Sequence, residues 1–117
     1  MSFEMIDADE REVVRKGELS AGDRVIVSTR NSIYSLWALG GDSFAVSGGW
    51  FDKTDAAPTV ITINGCTYGG SVIRHDVVAA RGLFLEFGNN VSTTRIQSVR
   101  VLRGLLAQDQ QAALLPC

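Results

Sequence analysis

The sequence predicts an all-β protein, a small and mainly antiparallel barrel or roll of about six to eight strands, with a short N-terminal helix and a short C-terminal helix or tail. Three observations predict it. Short β-branched runs recur, at 24–29 and 59–63 for example. Turn-forming clusters rich in Gly and Asn separate them, at 30–31, 40–42, 48–49 and 88–90. No strand-like run alternates with a helical segment long enough for a parallel crossover. At 117 residues, one domain with one core is expected: a helical cap over 1–18, a barrel over 19–103, and a helix or tail over 104–117.

In chain order, Asp7 and Glu10 stand at capping-box spacing and Gly17 is a good stop, so a helix of two to three turns is expected over 8–16. A turn at 20–23 leads into the strand 24–29. Asn31 then reverses the chain into 32–39, where Tyr34, Leu36 and Ala38 alternate with Ile33, Trp37 and Leu39; both faces are partly apolar, as in a strand covered on both sides. Gly40-Gly41-Asp42 makes a tight turn into 43–47, and Gly48-Gly49 ends that strand with Trp50 and Phe51 placed to plug one end of the barrel or, alternatively, to form a stacking platform. The polar stretch 52–58 reads as a loop. Asn64-Gly65 is the hairpin signal that closes 59–63 onto a partner at 66–68, with a bulge or corner at Gly69-Gly70. Residues 77–80 fit a helical turn or a strand, 83–87 a strand, and 91–103 a long strand or bent pair, with Ile96 and Leu102 facing one way and Val99 and Val101 the other. The Leu- and Ala-rich end from Leu105 onward is a candidate for self-association.

The formal charge of -2 is uneven: residues 1–23 carry -4 and the remainder +2. Eight cations spread over the remainder form no dense stripe in the sequence, which speaks against a nucleic-acid partner. There is no basic-then-apolar leader and no run of about 18 apolar residues. Two distant cysteines, Cys66 and Cys117, imply no disulfide framework, and the expected setting is the cytoplasm. No cofactor motif is present, and one His with two remote Cys supplies no metal-ligand spacing.

Two sets of residues offer chemistry. His75 is the candidate base of a hydrolase; adjacent strand residues face opposite ways, so Asp76 is badly placed to orient it and a triad needs another acid such as Asp52 or Asp55, with Ser71 or Cys66 as a nucleophile that lies in no known motif. Arg30 can grip a carboxylate or phosphate with two parallel hydrogen bonds, aided by hydroxyls from Thr29 and Ser32. The string Thr29-Arg30-Asn31-Ser32-Ile33-Tyr34, with Gly48-Gly49, Gly69-Gly70-Ser71 and the late run Ser92-Thr93-Thr94, resembles a family of small bacterial β-domains that carry T-R-N-S-x-Y and G-G-S motifs and have no known activity. The resemblance spans roughly residues 19–101 and implies that Arg30, Asn31, Ser32, Tyr34 and Ser71 belong to one arrangement. The expected function is therefore a non-catalytic module acting by binding or self-association. The alternative is a binder of a small anion at Arg30, Ser32, Tyr34 and Ser71, with the His75 hydrolase third.

Overall fold

In a computed structural model, which describes residues 9–53, 58–69 and 72–104, the chain is an all-β protein whose sheet curls into a half-barrel with almost no helix. Ten strands are found among the described residues: β1 (Asp9–Arg11), β2 (Val13–Arg15), β3 (Arg24–Thr29), β4 (Ile33–Gly40), β5 (Ser43–Ser47), β6 (Thr59–Thr67), β7 (Ile73–Arg74), β8 (Val77–Ala80), β9 (Phe84–Phe87) and β10 (Ile96–Leu102). A 3₁₀ turn covers Lys16–Glu18, and one short helix, α1 (Gly49–Lys53), follows β5. The main sheet runs β1-β10-β3-β4-β5-β6-β7 with β9 also on β6, and β2 pairs with β8 in a separate ribbon. All pairings are antiparallel.

The core follows from period-two alternation. On β3, β4 and β5 the apolar inward positions are Val25, Val27, Tyr34, Leu36, Ala38, Phe44 and Val46, all buried. Phe51 of α1 is fully buried and meets Phe87 edge-to-face at 4.8 Å, so it plugs the interior as expected, while Trp50 stays partly exposed. All four residues of β8 are buried in the same core cluster as the inward residues of the main sheet; 77–80 is thus a strand.

Four expectations are corrected. The N-terminal helix expected over 8–16 is instead two strands from Asp9 onward. Its apolar stripe was too thin to bury, whereas β1 covers the edge of β10 and Val14 of β2 is fully buried against β8. Asn64-Gly65 does not reverse the chain: β6 runs on through both, with a register shift between Ile63 and Gly65. The Asn64 side-chain amide donates to the Glu86 carboxylate (3.0 Å) and the Phe87 carbonyl (3.3 Å) of β9, so it bonds a neighbouring strand instead of its own turn. The outer face of β4 is uncovered, with Ile33, Trp37 and Leu39 exposed. In β10 a bulge between Ile96 and Ser98 flips the alternation, so that Ile96, Val99 and Val101 all face inward. The C-terminal helix or tail, beyond Gly104, lies outside the described residues.

Candidate functional site

The β3–β4 reversal is built by its own side chains. Thr29 N–H donates to the Ser32 carbonyl (2.8 Å), the Thr29 hydroxyl donates to that same carbonyl (3.2 Å), and Ser32 N–H donates to the Thr29 hydroxyl (3.2 Å). Two residues, Arg30 and Asn31, are left at the tip, and both are exposed. Beyond the tip, Tyr34 turns inward; it is buried 5.9 Å from the Phe87 ring and lies beneath Gly49. A Cβ at Gly49 would stand 2.4 Å from the Tyr34 ring, and one at Gly48 would stand 2.0 Å from the Ile33 carbonyl oxygen. The residues 29–34 and the glycine pair 48–49 therefore form one corner, held by close approach of backbone to ring.

That corner separates the predicted site residues. Arg30 points to solvent, Tyr34 is in the core, Ser32 serves the turn through its backbone, and Ser71 lies outside the described residues. Tyr34 is thus removed from any surface site with Arg30. The cause is the strand alternation, which sends Ile33 out and Tyr34 in.

Arg30 instead shares a groove with Arg95. Both line a surface groove of about 670 Å³ together with Asn31, Phe84, Thr94 and Gln97, and none of these six residues is acidic. Register brings them together: Thr29 pairs with Ile96, so the residue after β3 and the residue before β10 emerge at the same end of the sheet. The loop before β10 is pinned to β9. Thr93 exchanges backbone and hydroxyl hydrogen bonds with Leu85 (2.9 and 3.2 Å), and Ile96 N–H donates to the Leu83 carbonyl (2.8 Å). Arg95 is held in place by one bond to the Gly82 carbonyl (2.9 Å) and by stacking of its guanidinium 5.0 Å from the centre of the Phe84 ring. Neither Arg30 nor Arg95 forms an ion pair with a carboxylate among the described residues. The groove therefore presents two positive charges and most of their N–H donors unspent, with amide and hydroxyl groups beside them, which suits a tetrahedral or planar oxyanion.

Arg95, Phe84, Thr94 and Gln97 were not singled out by sequence reasoning. The run Ser92-Thr93-Thr94 stands out in the sequence as a motif, but its proximity to Arg30 is set by the β3–β10 register, which no local pattern encodes.

The residues of the hydrolase alternative are arranged otherwise. The His75 Nδ1–H donates to the Asn64 main-chain carbonyl (2.9 Å), next to the place where Gly65 allows the two strands to touch. Asp76 is engaged by Arg74 (3.4 Å) and Arg15 (3.8 Å) and makes no hydrogen bond to the His75 ring. Cys66 is fully buried, and burial pushes its thiol up to about 12, far from the thiolate a nucleophile requires. Among the described residues no cluster of three or more His, Cys, Asp or Glu is placed to hold a metal ion, and no helix is long and apolar enough to cross a membrane.

Comparison with protein-family models, with curated proteins and with solved structures returns no match for this chain.

Proposed function

We propose that the protein is a non-catalytic β-module, working in the bacterial cytoplasm, that binds an anionic ligand in the groove between Arg30 and Arg95. The observation that carries this reading is the pair itself: two arginines from distant parts of the chain line one groove that contains no acid, and neither is neutralised by a carboxylate among the described residues. Two uncompensated like charges at one place repel each other, and an anion between them removes that cost. The bacterial setting rests on the resemblance of the 29–34 string, and the reducing one on the free, buried Cys66.

Isothermal titration with inorganic phosphate and with sulfate tests it. Binding is expected to saturate at one site per chain, to weaken as sodium chloride is raised, and to fall at least tenfold in Arg30→Ala and in Arg95→Ala. Tyr34→Phe, which alters the core and leaves the groove intact, should bind as the parent does. Full affinity in both arginine variants would end the reading.

A further inference from the structure

The cations of this chain are sorted by the fold. Arg11, Arg15, Lys16, Arg74, Arg81 and Arg103 each contact a carboxylate. Among the cations with described side chains, the remaining four, Arg24, Arg30, Arg95 and Arg100, have no such partner, and all four lie on or immediately beside one strand pair, β3 and β10. Arg24 opens β3 and Arg30 follows its end, six residues apart, which in a strand is about 20 Å at ~3.3 Å per residue. Arg24 and Arg100 both point outward, on the face opposite the core, as diagonal neighbours: Arg24 stands across from Leu102, and Arg100 across from Ile26. A charge count along the sequence hides this segregation, because the paired cations cancel against acids elsewhere on the surface.

An aromatic shares that face. Trp37 of β4 stands directly across from Arg24, whose guanidinium lies 4.7 Å from the ring centre, and the indole is 43% exposed. Between the arginines the outward positions are Ser28, Ser35 and Ser98 with Ile26 and Ile33, a surface with more hydroxyl than the dry centre of a protein–protein interface has. Unpaired arginines along an open sheet with an exposed indole are the features that hold a flexible phosphate backbone and stack a base without reading sequence.

We infer that the outer face of β10, β3 and β4 binds single-stranded nucleic acid, with the Arg30–Arg95 groove taking one phosphate of the strand and Arg100, Arg24 and Trp37 taking its continuation. This rests on the groove's being an anion site and extends it from one phosphate to several. An acid also lies on the face: Glu10 of β1, opposite Arg100, opposes the strand there.

The test is fluorescence anisotropy of a labelled twelve-nucleotide oligothymidylate with the full chain, over a series of salt concentrations, beside calorimetry with inorganic phosphate. The expected slope of log K against log salt is about -2, from roughly three phosphates at ~0.7 each. Arg24→Ala and Arg100→Ala should each weaken the oligonucleotide about three- to tenfold and flatten the slope by about 0.7, while phosphate titrations stay unchanged. Trp37→Leu should weaken it about tenfold or more with the slope kept, because stacking releases no counterions. Glu10→Gln should tighten it. Circular dichroism establishes that each variant is folded. Oligonucleotide affinity indifferent to Arg24, Arg100 and Trp37 overturns the inference, as does equal competition by a glutamate dodecamer, which would assign the face to an acidic protein segment. If phosphate binds and the oligonucleotide does not, the inference falls and the groove stands; if neither binds, both fall.

Discussion

Gly48 and Gly49 show how one missing Cβ decides a corner. Both have positive φ, +100° and +49°, and both press against β4: Gly48 on the Ile33 carbonyl and Gly49 on the Tyr34 ring. At Gly48 a side chain would meet backbone, which cannot step aside, in a conformation that L-residues avoid. Gly48→Ala should therefore cost about 3 kcal/mol of unfolding free energy. Gly17 supplies the control, since a Cβ there meets nothing within 4 Å and its φ is not positive; Gly17→Ala should change stability by less than about 0.5 kcal/mol. Urea unfolding of the two variants makes the comparison, and equal midpoints would mean that β4 shifts to accept the extra atom. The same corner accounts for most of the 29–34 string. Thr29 and Ser32 bond each other, Tyr34 fills the space beneath Gly49, and only Arg30 and Asn31 are left lining the surface groove.

At the scale of elements, β6 governs the architecture. Its first half pairs with β5, its second half with β9 and β7, and the bulge at Asn64 is where the sheet turns from one set of neighbours to the other. Gly65 permits the turn, because a Cβ there would stand 2.2 Å from the Arg74 carbonyl oxygen. Asn64→Ala removes two hydrogen bonds to β9, while the Phe87 carbonyl keeps the Asn90 N–H (3.0 Å), so a loss of about 1–2 kcal/mol is expected by urea unfolding. Asn64→Asp should do worse than Ala, since it sets a second carboxylate against Glu86. This strand also marks the boundary of what was legible beforehand. The meander β3–β4–β5 could be read because its partners are adjacent in sequence and its turns sit between alternating runs. Asn64-Gly65 misled because the same dipeptide serves a reversal or a bulge, and the choice is made by strands about twenty residues away. The groove was half legible for the same reason. The chemistry of Arg30 was visible at once, while Arg95 joins it only through the pairing of Thr29 with Ile96.

Across the whole molecule, the joint between the main sheet and the β2–β8 ribbon is closed mainly by packing, since among the described residues β8 pairs as a strand with β2 and meets the rest of the barrel through the buried Val77, Val78, Ala79 and Ala80. Cys66 sits in that joint. Its thiol is fully buried and donates to the Val78 carbonyl at 3.5 Å, so it reports whether ribbon and sheet open separately or together. Burial raises its folded pKa to about 12 from an ordinary value of 9.0. Stability from this group is therefore complete below pH 9.0 and is lost as pH rises toward 12, because the unfolded chain releases the proton first. Cys66→Ala should abolish this component of alkaline destabilisation while costing some packing at neutral pH. Labelling by an aromatic disulfide near neutral pH, in a Cys117→Ser chain so that one thiol is read, distinguishes the modes of opening. If the joint opens only with the whole fold, the labelling free energy equals the unfolding free energy and falls with urea at the full equilibrium slope. A labelling slope well below that value would show the ribbon leaving the sheet alone, and the packing of β8 would then be the weakest seam of the molecule.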